Sequence, residues 1–252
     1  LKRFEPEFCF PFFSGDEPEG AHPVRIIVRD TVGNAATDVT HSVTLDFTPP
    51  RFAPVSVDPT VARTGTAVTV SFTASEALSG TPRVDVGTSA AELSTRIGQA
   101  YAYRHTIDGS EGEGSVVVRV VGQDLAGNPA EDTSGRLTTD FSRPDAREIL
   151  VTPDAGRVGT DILLSLKLSE EVSGTPQVYL ADKPFTLLGV EEGRVKFSRS
   201  LNGTEAEGTQ PTRIDLVDLA GNTSTIAGPV VRTDFTSPTA AIPPPFPFPR
   251  FF

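Results

Sequence analysis

The chain has 252 residues and a formal net charge of −11, with 37% hydrophobic and 22% charged residues. That leaves room for one large domain or two to three small ones, and the acidity argues against a nucleic-acid partner, which requires a basic face. The single cysteine, Cys9, excludes an intrachain disulfide, and no apolar run approaches the roughly 18 residues of a membrane-spanning helix.

The sequence contains no Met and does not open like a signal peptide, so it reads as a processed product or a piece of something longer. Its 22 Gly and 22 Pro, with abundant Thr, Val and Ser, suit short strands joined by turns and offer little to long helices.

In chain order, residues 1–49 begin with Phe4, Phe8, Phe10, Phe12 and Phe13 and place an expected strand at Glu7–Phe13. Three signatures follow: Gly15-Asp-Glu17-Pro-Glu19-Gly20, Asp30-x-x-Gly33-Asn34, and Asp46-Phe-Thr-Pro-Pro50. Each returns 94 positions later, at Gly109–Gly114, Asp124–Asn128 and Asp140–Pro144. Each returns once more, at Gly203–Gly208, Asp218–Asn222 and Asp234–Pro238. Three motifs in one register without an insertion define an internal repeat.

Residues 50–143 form one complete repeat. Strand A is expected near Phe52–Asp58 and strand B at Thr66–Ala74, where Val68, Val70 and Phe72 alternate with Thr69, Ser71 and Thr73. That period of two sends one face into a core. Strand C follows Pro82 through Val84 and Val86, one or two irregular strands lie between Ala90 and Ile107, F is Ser115–Val121 and G is Arg136–Phe141. The Asp-x-x-Gly-Asn sequence between F and G is a hairpin turn, because Gly and Asn tolerate positive φ and Asp caps the turn backbone.

Residues 144–237 repeat the unit, and the front halves match too: Ser75-Glu76-x-x-Ser79-Gly-Thr-Pro82 pairs with Ser169-Glu170-x-x-Ser173-Gly-Thr-Pro176. Residues 1–49 are then the C-terminal half of an incomplete repeat with one face uncovered. Residues 238–252, with Pro243–Pro245 and Phe246, Phe248, Phe251 and Phe252, are an extended Pro/Phe tail.

About seven strands in 94 residues without helical periodicity predict an all-β chain of tandem Greek-key sandwiches. The Ser-Glu-x-x-Ser-Gly-Thr-Pro segments, Asp-Leu-Ala-Gly-Asn turns and Asp-Phe-Thr linkers resemble bacterial immunoglobulin-like repeats over residues 15–238. The resemblance implies immunoglobulin-like modules of a secreted or cell-surface, adhesin-like bacterial protein, with other such modules as neighbours. Fibronectin type III and cadherin-like modules share the layout.

The three histidines, His22, His41 and His105, occupy unrelated repeat positions, and no nucleophile elbow, phosphate loop or zinc-binding helix occurs. No catalytic residue and no cofactor site is assigned, and the expectation is a protein without enzymatic activity.

Two roles stand open for the repeated carboxylates. An immunoglobulin-like topology would bring Asp46 of the linker, Glu76 of the B–C loop and Asp124 of the F–G turn to one junction, and Asp140, Glu170 and Asp218 to the next. Three carboxylates with carbonyls and water suit calcium, which takes six to eight oxygens, and the resemblance also implies calcium between modules. Alternatively, each turn Asp caps its own turn and Glu76 is a solvated loop residue. Glu111/Glu113 and Glu205/Glu207 are expected as a solvated acidic turn, with a second cation site as the other reading.

The expected role is a structural spacer, since near-identical loops in successive repeats do not mark out a dedicated binding site. The alternative is an adhesive module that binds a glycan or protein, sought where Gly87–Ala100 departs from Leu180–Arg194. Self-association through the incomplete first repeat is a further expectation for partners.

Overall fold

A computed structural model describes residues 16–240. The expected strand at Glu7–Phe13 and the Phe-rich end of the tail lie outside the described residues. Every regular element among those described is a strand, and no helix is long and apolar enough to cross a membrane. The chain divides into two compact units between Asp140 and Phe141, inside the Asp-Phe-Ser-Arg-Pro stretch.

The first unit opens with a hairpin of β1 (Gly20–Arg29) and β2 (Ala35–Leu45). A sandwich follows, made of β3 (Ser56–Asp58), β4 (Val61–Ala62), β5 (Ala67–Thr73), β6 (Arg83–Val86), β7 (Ser89–Ala90), β8 (Glu92–Ile97), β9 (Ala100–Thr106), β10 (Gly114–Gln123) and β11 (Pro129–Thr139). One sheet has the order β3-β5-β9-β8 and the other β4-β11-β10-β6-β7. All pairs are antiparallel except β4 with β11, and the chain crosses repeatedly between the sheets, which is the immunoglobulin-like Greek key.

The period-two pattern read in β5 is realised. Val68, Val70 and Phe72 are buried while Thr69 and Thr73 are exposed. Phe72 stacks on Tyr101 at 5.4 Å and on Tyr103 at 6.0 Å, with Phe52 edge-on at 5.4 Å. The Tyr103 hydroxyl donates to the Pro82 carbonyl across the sandwich, and burial pushes its phenol up to about 12. A buried hydroxyl with its acceptor in place keeps the ring in one orientation.

Nine strands stand where about seven were expected, because strand A continues as the two-residue β4 in the opposite sheet and C is followed by the two-residue β7. Strand β11 begins at Pro129, seven positions before the expected start. Its first half, Pro129-Ala-Glu-Asp-Thr-Ser-Gly135, has no apolar alternation and is drawn in by pairing with β10 from the turn outward.

The repeat copies structure in detail. Gly20 pairs with Leu45 and Gly114 with Thr139, and the ladders bulge between Val24 and Ile26 and again between Val118 and Val120. Burial differs, however. Val118 and Val120 are 0% exposed under the opposing sheet, whereas Val24 and Ile26 are 38% and 45% exposed.

The second unit contains β12 (Ala146–Thr152), β13 (Ala155–Gly156), β14 (Asp161–Leu168), β15 (Gln177–Leu180), β16 (Lys183–Pro184), β17 (Thr186–Glu191) and β18 (Arg194–Ser200). It ends with β19 (Gly208–Gln210), β20 (Thr212–Val217), β21 (Thr223–Ala227) and β22 (Val231–Thr233). One sheet is β12-β14-β18-β17; the other is split into β16-β15-β20-β21 and β13-β22-β19. The splits fall at Pro211 and at Gly228-Pro229, where the first unit has Val117 and Ser134-Gly135 in continuous strands. Proline has no N–H to give to a ladder, which explains both interruptions. The core centres on Ile162, Leu164, Leu166, Phe197, Ile214 and Leu216.

Candidate metal centre at a module junction

The turn motif folds identically in all three copies. Asp30, Asp124 and Asp218 each accept, on Oδ1, the N–H of the Asn four residues on, at 2.9, 2.9 and 2.8 Å. The Asn amides donate to Oδ2 at 2.7, 2.8 and 2.9 Å. Gly127 takes φ +96° and donates to Asp124 Oδ1 at 2.7 Å. The turn-capping role of these Asp residues is therefore present in the structure. Burial pushes the Asp124 carboxyl up, but the Asn128 amide and the turn N–H groups outweigh it and hold it below its ordinary value.

Capping leaves capacity. A carboxylate oxygen accepts two bonds, and Asp124 Oδ2, which takes the Asn128 amide, has room for a second partner. Asn128 also donates to the Asp46 carbonyl at 3.0 Å, tying the incoming linker to the F–G turn. Glu76 stands in the β5–β6 loop, whose base is fixed by Ser75 N–H to the Arg51 carbonyl at 2.9 Å and Arg51 N–H to Ser75 Oγ at 3.0 Å. As a result Asp46, Glu76 and Asp124 each place a carboxylate oxygen within 4.8 Å of the other two, Asp124 being buried. Like charges gathered this closely repel one another, and a divalent cation placed among them would reverse the sign of that interaction. The donors are all oxygen, which matches calcium or magnesium and not the softer metals.

In the second unit, Glu170 and Asp218 occupy the equivalent loop and turn, with Asp218 buried and bridged to Val172. Asp140 is the last residue of the first unit.

The acidic motif departs from expectation. Glu111 is not a solvated turn residue. Its side chain is 0% exposed, with Oε1 2.6 Å from His105 Nε2 and Oε2 accepting Gly109 N–H at 3.0 Å. One repeat on, Glu205 is 1% exposed, pairs with Arg199 and accepts Asn202 and Gly203 N–H at 3.2 Å. Burial raises both carboxyls; the hydrogen bond from His105 or Arg199 and the loop N–H groups more than offset it, so both lie below the ordinary carboxylate value. Glu205 spends its carboxylate on arginine and the loop N–H groups, which leaves it neither solvated nor free to serve as a cation ligand. The signal available in the sequence was a His or Arg six residues before the glutamate at the same repeat position.

The three histidines serve locally. His22 Nε2 lies 2.6 Å from the Pro18 carbonyl, His41 Nδ1 lies 3.2 Å from Thr40 Oγ1, and His105 faces Glu111. The outer face of the β5–β9–β8 sheet holds a shallow concavity of about 330 Å³ lined by Pro54, Ser71, Thr95, Ile97, Ala100 and Ala102. The equivalent face of the second unit is covered by ion pairs of Glu148 with Lys167 and with Arg194, both at 2.8 Å.

No protein-family model matches the chain, and no curated protein matches it. Among solved structures, it is similar to a Ca2+-stabilized adhesin that helps an Antarctic bacterium reach out and bind ice, at 18% identity and TM-score 0.47, covering 88% of this chain and 58% of that one. A 1.5-MDa bacterial ice-binding adhesin matches at 17% identity and TM-score 0.44, covering 88% and 77%. An I-band fragment of titin matches at 11% identity and TM-score 0.44, covering 75% and 66%. The chain thus spans less than two thirds of the length of the first adhesin and of the titin fragment. At such identities and scores no functional residue is carried across.

Proposed function

We propose that this chain is a run of non-enzymatic immunoglobulin-like spacer modules of a bacterial secreted or cell-surface protein, stiffened by calcium at its module junctions. The observation that carries the reading is the convergence of Asp46, Glu76 and Asp124 from a linker, a loop and a turn, with all three carboxylates within 4.8 Å. Asp140, Glu170 and Asp218 are proposed as the corresponding ligands one repeat later, on the 94-residue equivalence. Calcium there joins the end of one module to two loops of the next and so resists bending at the joint. The test is a melting curve of the whole chain with calcium and with chelator. A raised midpoint is expected with calcium, by several degrees once the ion exceeds its dissociation constant tenfold. Glu76→Gln combined with Asp124→Asn should abolish the rise at the first junction. An unchanged wild-type midpoint overturns the reading.

Two observations favour a second, adhesive reading. The uncharged concavity on the first sandwich, where the sister module carries ion pairs, is a surface on which one module deviates, and a glycan array on the chain tests it. The half-exposed Val24 and Ile26 of the hairpin favour self-association, which light scattering checks; a monomer at every concentration excludes it.

A further inference from the structure

The second glutamate of the acidic motif is exposed, as a solvated turn would be, yet its bonds are specific and recur. Glu19 Oε1 accepts the Phe47 N–H at 2.9 Å and the Thr48 hydroxyl at 2.7 Å. Two repeats later Glu207 Oε1 accepts the Phe235 N–H at 2.9 Å and the Thr236 hydroxyl at 2.7 Å. In both places the linker Asp accepts the N–H two residues on, Thr48 to Asp46 Oδ1 and Thr236 to Asp234 Oδ1, each at 3.2 Å. Three bonds in each copy thus hold the three residues Asp-Phe-Thr against the module that precedes them, against the ordinary expectation that exposed linkers are loosely held.

The glutamate is itself held from below. Glu205 anchors the same loop through Arg199 and two loop N–H groups, and Thr233 Oγ1, at the end of β22, donates to the Ala206 and Gly208 carbonyls at 2.5 and 3.1 Å. Thr139 does the same in the first unit, to Gly112 and Gly114 at 2.5 and 3.1 Å. The chain of restraint runs from a buried ion pair, through the loop and strand end, to the exposed carboxylate and the linker.

We infer that Glu19 and Glu207 are positioning residues that preset the direction in which the chain leaves each module, independently of any cation. The same three bonds form at Asp46–Thr48 and at Asp234–Thr236, and every partner in them belongs to the preceding module or to the linker itself. These contacts use no residue of a following module. Within the spacer reading, such a latch would present Asp46 to its cluster already oriented, so that a cation has less disorder to remove.

The experiment is amide exchange by NMR on the whole chain, in chelator throughout, so that failure of calcium binding leaves it untouched. The Phe47 and Phe235 N–H groups should exchange more slowly than open linker amides. Glu207→Ala should speed Phe235 by about tenfold, the scale of a charge-assisted bond. Phe47, and the Gln210 and Val231 amides of the β19–β22 ladder, should be unmoved and report that the module is intact. Phe235 exchanging as an open amide in the wild type, or unchanged in Glu207→Ala, overturns the inference. Thr236→Val removes only the hydroxyl bond and should give a smaller acceleration in the same direction; no acceleration in either variant again overturns it.

Discussion

Arg199 and Glu205 make the sharpest case at the level of single residues. Both side chains are nearly out of solvent, at 13% and 1% exposure, and the loop N–H groups complete the carboxylate's shell. Breaking such a pair from one side leaves a buried charge without its counter-charge. Glu205→Gln should therefore destabilise the second unit by about 3 kcal/mol, read from the midpoint of urea unfolding. The acid side carries a second expectation. The folded-state carboxyls of Glu111 and Glu205 are depressed, so their contribution is complete above the unfolded carboxyl value and is lost as pH falls through the folded one. Stability measured from pH 6 downward should decline through and below about pH 4.5. Glu205→Gln should flatten that decline for the second unit; an identical acid limb in variant and wild type would contradict the assignment. In the first unit the partner is His105, whose charge is available only when it is protonated, whereas the guanidinium keeps its charge.

At the scale of elements, the Asp-x-x-Gly-Asn turn shows what a sequence can state directly. Its Asp, Gly and Asn are each the residue that a five-position turn with one positive φ demands, and the three copies fold alike. Gly127→Ala places a side chain at φ +96°, where steric strain costs about 1 kcal/mol or more, to be measured as a lowered urea midpoint. Nothing lies within 4 Å of the added methyl, so the loss would report backbone strain alone. Strand β5 was legible for the same local reason, its alternation of Val68, Val70 and Phe72 with Thr. What was not legible depends on a pairing partner and not on the segment's own pattern. Two-residue β4 and β7 exist only as additions to the edges of strands already paired, and the polar first half of β11 exists because β10 is beside it. The convergence of Asp46, Glu76 and Asp124 could be read from the repeat once the topology was assumed. The burial of Glu111 and Glu205 was harder to read, because charge in a Gly-rich loop looks like solvation unless the His or Arg six residues back, at the same repeat position, is taken as its partner.

For the whole molecule, two compact units each enclosing its own core predict unfolding in more than one step. Phe72 fills the centre of the first core among Phe52, Tyr101 and Tyr103, and Phe72→Ala should cost about 3–5 kcal/mol there. Leu166, 0% exposed, occupies the second core, and Leu166→Ala should cost about 2–5 kcal/mol. For modules of this size about 1 kcal/mol moves a midpoint by several degrees, so each variant should lower one calorimetric transition by 10 °C or more. The other transition should stay within the small error expected for distant sites without shared partners. Both transitions moving together in either variant would mean that the units fold as one. Independent steps matter for a spacer under the reading proposed above. A module that opens under load or heat then lengthens the chain locally and recloses, while its neighbour keeps its fold, its latched linker and its place in the array.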